Sequence, residues 1–178
     1  YYLDGGWQSL VDGLTAAATK SAVTIRAGVK VESLIVDGGI AGIVTTDGER
    51  IGADAVVLTT PPSVASALAG ASAQGLADFA RAAMPVRAAC LDLALSRLPV
   101  PSARFGLGID VPLYFSVHSA VAKLAPAGGA LIHAAKYLAP DDTAESAVRA
   151  ELEGLVDLLQ PGWRDAVVSA RFLPKMTV

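Results

Sequence analysis

The 178-residue sequence predicts a mixed α+β or α/β chain, with a β-meander followed by a mixed, mostly antiparallel sheet carrying helices. Three observations support this. Asp37-Gly38 and Asp47-Gly48 separate runs at Val29 to Val36, Ile40 to Thr46 and Glu49 to Ile51, and glycine accepts the positive φ that tight hairpin turns need. Ala53 to Thr60 is apolar without alternation through Val56, Val57 and Leu58 and stops at Pro61-Pro62, the pattern of a parallel strand covered on both faces. Beyond Met84, strand candidates at Val86 to Leu95, Pro112 to Ser119 and Ala130 to Leu138 are joined by Pro- and Gly-rich segments, Pro99 to Asp110 and Ala125 to Gly129.

The remaining elements follow from local signals. Gly5-Gly6 precedes a helix predicted from Trp7 to Lys20, where Leu10, Leu14, Ala17 and Ala18 recur at helical spacing and Asp4 is placed to cap. Val23 to Ala27 reads as a short strand, and Gly28 turns the chain into the meander. Ser63 to Leu68 and Gly75 to Met84 read as helical, the second with Leu76, Phe79, Ala80 and Ala83 on one side and Pro85 as its stop. Asp141-Asp142-Thr143 opens a helix running to Leu159 with Val148, Leu152, Leu155 and Leu159 as its apolar stripe. Pro161-Gly162 ends it, and Ala166 to Phe172 resumes a strand. The expected division is 1–70 and 71–178.

Composition narrows the classes of function. Hydrophobic residues make up 53% of the chain, enough for a sizeable core. The net charge of −3, with no basic run and no aromatic residues interleaved with Arg or Lys, argues against nucleic acid as a partner. A single cysteine, Cys90, excludes an intrachain disulfide and a cysteine-based zinc site and fits a reducing compartment. Charged residues, Pro and Gly interrupt every apolar stretch before it could span a bilayer, so a soluble, cytoplasmic protein is expected. Both ends read as cut from something longer.

No self-contained catalytic device is visible. His118 and His133 lie in strand candidates without a Cys, Asp or Glu at ligand spacing, and read as hydrogen-bonded, partly buried side chains. Cys90, between Ala89 and Leu91, reads as a buried small hydrophobe. Asp141 and Asp142 read as helix caps, Gly38-Gly39 and Gly128-Gly129 as turns, and Trp7 and Trp163 as packing at helix ends.

The order of the pieces YLDGGWQSLVDGL, VTIRAGVKVESLIVDGGIAGIVTTDGERI, ADAVVLTTPPSVASALAG and LAPAGGALIHAAKYL resembles the FAD-dependent oxidoreductases that include flavin amine oxidases, protoporphyrinogen oxidases and phytoene-desaturase-like enzymes. The resemblance implies an internal part of an FAD/NAD(P)-binding-type protein: a partial FAD-binding region followed by a partial substrate-binding region. It implies FAD as cofactor of the complete protein. Val31 would stand with its backbone at the adenine, and Thr59, Thr60 and Pro61 would end the strand that approaches the dinucleotide. Gly5 and Gly6 match the paired glycines that open the first helix. The segment VRAACLDLAL lacks the lysine that amine oxidases often place near the flavin, which favours the desaturase-like branch and an apolar small-molecule substrate, isoprenoid or carotenoid-like. A flavin amine oxidase and a non-catalytic binding or scaffold module are the alternatives. The glycine fingerprint that cradles the FAD pyrophosphate is not among these residues, so weak or absent FAD binding and self-association of the chain by itself are expected. Peripheral membrane contact of a longer protein stays open.

Overall fold

The computed structural model describes residues 2–139, 142 and 144–177, with the side chain of Ser72 left aside. The chain divides into two compact units, one formed by Tyr1–Ala22 with Pro85–Val178 and the other by Val23–Met84.

The first unit is organised on a five-stranded sheet in the order β5-β6-β7-β4-β8, comprising β4 (Arg87–Leu95), β5 (Phe105–Leu107), β6 (Leu113–Val117), β7 (Ala130–Tyr137) and β8 (Val167–Thr177). Every pairing in it is antiparallel. β5 lies inside the segment expected to be a Pro- and Gly-rich connection, and three residues are too few for a legible period. β8 runs past the predicted end at Phe172. Its register with β4 slips between Ala88 and Cys90, opposite Pro174, which as an edge-strand residue with no N–H is accommodated at a bulge.

Strand alternation sorts β4, β6 and β7 onto two faces. Ala89, Leu91, Leu93, Leu95, Phe115, Val117, Ala130, Ile132 and Ala134 pack with Val148, Leu152 and Val156 of the helix Glu145–Leu159, here α4. The predicted stripe of α4 is shifted: Val156 is fully buried, whereas Leu155 and Leu159 are only partly covered. The Asp141 and Thr143 positions of the predicted helix start lie outside the described residues, and Ala144 is the N-cap. Asp142 is no cap. It accepts a hydrogen bond from the Ala139 amide and pairs at 2.7 Å with Lys136, whose buried ammonium also meets Glu151 at 2.9 Å. Beyond α4, the fully buried Gln160 accepts from the Val100 amide and donates to the Val100 and Ala103 carbonyls, so its amide is satisfied by one loop.

The helix α1 (Trp7–Lys20) forms where expected, but its N-cap is Gly6, and none of its residues is buried. Asp4 instead accepts from the Lys123 amide at 2.8 Å. Trp7 is 76% exposed rather than packed, while Trp163 is buried and donates its indole N–H to Asp157.

The second unit holds the meander β1 (Val31–Val36), β2 (Ile40–Thr45) and β3 (Arg50–Gly52), followed by the helices α2 (Pro62–Ala69) and α3 (Gln74–Ala82). Gly42 sits at φ 146° opposite Gly52, where an added Cβ would lie 2.1 Å from the Ile51 carbonyl oxygen; only glycine lets β2 and β3 approach there. Two strand expectations fail. Val23 to Ala27 forms no strand, and Ala53 to Thr60 is irregular, with bends at Asp54 and Thr60, and joins no sheet among the described residues. Val57 is 86% exposed. The apolar composition of the segment encodes cover on both faces, but a strand also needs partners for its backbone groups, and beyond the Ala53 amide, which donates to the Ala41 carbonyl, no backbone partner is found among the described residues.

Truncation of the core aromatic is expected to be costly. Phe115→Ala should destabilise the first unit by about 3–5 kcal/mol, against less than about 0.5 kcal/mol for Val168→Ala on the exposed edge. Urea unfolding followed by circular dichroism checks the difference, and equal effects would contradict the assigned core.

Candidate functional site

The sheet face turned away from α4 carries the polar chemistry of the first unit. Ala88, Cys90 and Ala135 form its small apolar base, with Tyr114, Leu173 and Met176 against it. Asp92 stands opposite His133 across the β4–β7 ladder, and Ser116 of β6 stands opposite His133 on the other side. Asp92 Oδ1 lies 2.6 Å from His133 Nδ1. The pairing is a product of register: residues 41 positions apart become direct cross-strand neighbours.

The Asp92 carboxylate, and after it the Cys90 thiol, favour the charged imidazole over the cost of burial and hold His133 up at about 9. Asp92 is correspondingly held below the ordinary carboxylate range by the hydrogen bond from His133. His118, in the turn after β6, has its ring 5.2 Å from that of His133 and responds in the opposite sense. Burial first, and then the neighbouring His133 charge, push His118 below its usual value. At neutral pH the two rings therefore differ in protonation, His133 cationic and His118 neutral.

Tyr2 closes one side of this cluster. Its ring lies 4.8 Å from that of His118, and its hydroxyl is 3.4 Å from the hydroxyl of Tyr114. Hydrogen bonding to Tyr114 lowers the Tyr2 phenol, while burial raises that of Tyr114. A recess of about 300 Å³ is lined by Tyr2, Tyr114, His118, His133, Ala135 and Tyr137. It shares Tyr2 and His118 with a larger cavity of about 540 Å³, lined otherwise by Leu3, Gly6, Trp7, Leu10, Leu124 and Leu131. The result is an apolar chamber with a polar end, the usual form of a small-molecule site.

Both histidines are partly buried, and Cys90 is buried at 2% exposure, as expected from the sequence. The Asp92 partner and the two tyrosines were not foreseen. A usable signal existed, since Asp92 and His133 are each flanked by apolar residues within β4 and β7, and a buried polar group requires a partner. Which residues would pair still depended on a register that the sequence leaves open. Among the described residues no group of His, Cys, Asp and Glu could hold a metal ion, and no helix is long and apolar enough to cross a membrane.

The four residues expected at a cofactor lie in the second unit. Val31 begins β1, half-buried and opposite Thr45. Thr59 and Thr60 are exposed at the end of the unpaired segment, and Pro61 is the N-cap of α2, its carbonyl accepting from the Ala65 amide.

The Asp92–His133 pair makes stability depend on pH with a defined sign. His133 is raised in the folded state, so its contribution is complete below about pH 6.5 and is lost as pH rises through about 9. Asp92 is lowered, so its contribution is present above about pH 4 and is lost on further acidification. The pair should therefore contribute most between about pH 4 and 6.5, on the order of 2 kcal/mol after allowance for its partial exposure. Asp92→Asn should flatten the alkaline limb, as read by urea unfolding at pH 6 and pH 10 together with NMR titration of the imidazole. An unchanged limb in that variant would contradict the pairing.

Comparison with known proteins gives the chain a context. The family model "Flavin containing amine oxidoreductase" matches residues 1–86. No curated protein matches. Among solved structures, an oxidoreductase from Methanosarcina mazei is similar at 19% identity and a TM-score of 0.72, over 95% of this chain and 42% of that one. A protein from Pyrococcus furiosus is similar at 18% identity and a TM-score of 0.75, over 96% of this chain and 43% of that one. Reduced UDP-galactopyranose mutase is similar at 14% identity and a TM-score of 0.66, over 89% of this chain and 36% of that one. The chain thus spans less than half the length of each of these structures. Together these likenesses show a fold shared with those structures along most of the chain, and a match to the flavin-containing amine oxidoreductase model confined to residues 1–86.

Proposed function

We propose that these residues are part of a flavin-linked oxidoreductase, in which the first unit supplies a wall of the substrate pocket and the second supplies contacts to the adenosine side of FAD. The observation that carries this reading is the amine-oxidoreductase match over residues 1–86, in a chain whose fold likeness to solved structures extends to 95% of its length. That match supports the amine-oxidase alternative better than an isoprenoid or carotenoid-like substrate, for which no independent support exists.

The second unit fits part of such a cofactor. Backbone N–H and C=O groups of residues 54–60 make no backbone hydrogen bond among the described residues, which leaves the ends of Thr59 and Thr60 open to a ligand's polar edge. Val31 offers a half-buried strand end. The start of α2 fits a pyrophosphate poorly, because Pro61 and Pro62 have no N–H to donate to an anion there. The start of α2 is therefore not assigned to phosphate recognition.

When bound, the isoalloxazine ring would supply the redox chemistry. The residues of the first unit bind and orient. The chamber formed by Trp7, Leu10, Leu124 and Leu131 takes up apolar surface and excludes water, and neutral His118 offers one nitrogen as donor and one as acceptor. Asp92 holds the proton on His133 Nδ1. Among the described residues no lysine lines the polar recess. Lys136, on β7, is turned to the opposite sheet face and engaged by Asp142 and Glu151.

The test uses the complete gene product containing this sequence. It should purify with a flavin absorbance spectrum that bleaches on anaerobic reduction, and Val31→Asp should lower its flavin content while costing roughly 3 kcal/mol through burial of a charge. A complete product that neither contains flavin nor changes its spectrum on FAD addition would overturn the reading.

A further inference from the structure

We infer that the chamber of the first unit takes a small molecule with an apolar, ring-sized body and an anionic head such as a carboxylate, in preference to one with an ammonium head. The inference rests on the reading of this chamber as the substrate wall and specifies its ligand.

The shape is the first argument. A cavity of about 540 Å³ bounded by Trp7, Leu10, Leu124 and Leu131 meets a recess of about 300 Å³ bounded by tyrosine and histidine, so an occupant filling both has one apolar and one polar end. The second argument is the lining's charge. Among the described residues none that lines either space is an Asp or Glu. Asp92, beneath the recess, is already engaged by His133 at 2.6 Å.

Charge around the recess has the complementary sign. His133 and Asp92 cancel as an ion pair, and Arg171 of β8, opposite Asp92 in the ladder, leaves one positive charge in excess. Burial first, and then the His133 charge, lower His118, against the smaller opposing effect of Asp92. An ammonium entering here would be repelled by His133 and would lose hydration without an ionic partner. A carboxylate would meet the Tyr2 and Tyr114 hydroxyls as donors and a positive local potential. The tyrosine rings could attract a cation through their faces, which is the competing effect. Beside a charged imidazole that attraction is opposed.

Trp7 provides the readout. It lines the chamber at 76% exposure, whereas Trp163 is buried, so quenching on ligand addition reports the chamber. Phenylacetate, benzyl alcohol and phenethylamine share a ring and differ in head-group charge. Titrated into the complete gene product and into this chain at pH 7, phenylacetate should bind more tightly than benzyl alcohol, and phenethylamine most weakly, with about fivefold per step for a partly exposed charge interaction. Arg171→Gln, on the exposed edge, should reduce the phenylacetate preference by about the same factor while leaving benzyl alcohol unchanged, and His133→Gln should reduce that preference as well. Circular dichroism establishes that each variant is folded, and Arg171→Gln decides the matter if His133→Gln is not. Tighter binding of phenethylamine, equal binding of all three, or no binding would overturn the inference. Flavin content is measured separately. A flavin-containing product without the head-group preference defeats this inference alone, and the preference in a product without flavin defeats the functional reading alone.

Discussion

Burial of one side of β4 beneath α4 is the constraint on which the first unit depends. Ala89, Leu91, Leu93 and Leu95 must face Val148, Leu152 and Val156, and strand geometry then leaves Ala88, Cys90, Asp92 and Ala94 no alternative to the other face. The polar cluster is therefore a consequence of apolar packing on the reverse side. A one-residue slip of β7 against β4 would place His133 among the apolar side chains and leave Asp92 without its imidazole, so the hydrophobic pattern that fixes the register also protects the ion pair.

That cluster concentrates opposed electrostatic effects in a small space. His133 is kept charged by a carboxylate at hydrogen-bond distance, and its charge in turn helps to keep the less compensated His118 neutral. Two imidazoles of the same intrinsic basicity are thus separated by environment, as expected when one has a fixed anionic neighbour and the other mainly loses solvent. Tyr2 and Tyr114 complete the wall with neutral donors, so the recess can recognise a ligand by hydrogen bonding as well as by field.

Legibility in the sequence followed the range of the interactions involved. Helix α1 and the meander rest on local signals, the i, i+4 apolar spacing after Gly6 and the turns at Gly38 and Gly48, and they form within a residue or two of where those signals place them. Cys90 was readable as buried because its neighbours in the strand are apolar. The Asp92–His133 pair was not, because two strands 41 residues apart could pair in several registers until α4 selects one. The segment 53–60 shows the converse limit. Its composition records an environment on both faces, yet composition cannot supply the neighbouring strands, and in this chain the segment joins no sheet among the described residues and leaves Val57 exposed. Val31, Thr59, Thr60 and Pro61 were placed by resemblance, and the fold sets them at strand and segment ends.

The strand order β5-β6-β7-β4-β8 also bears on how the first unit is made. β4 is flanked on one side by β7 and on the other by β8, whose paired residues lie 72 to 90 positions further along the chain. During synthesis the β4–β7 ladder, and with it Asp92 and His133, can assemble well before β8 emerges. In that interval β4 presents an unpaired apolar edge, open to the wrong strand of another molecule. Loop closure over so many residues is slow relative to local helix formation. Aggregation in this unit should thus be governed by the lifetime of the four-stranded intermediate, and a mutation in β8 would reduce yield more than its effect on the stability of the finished fold suggests.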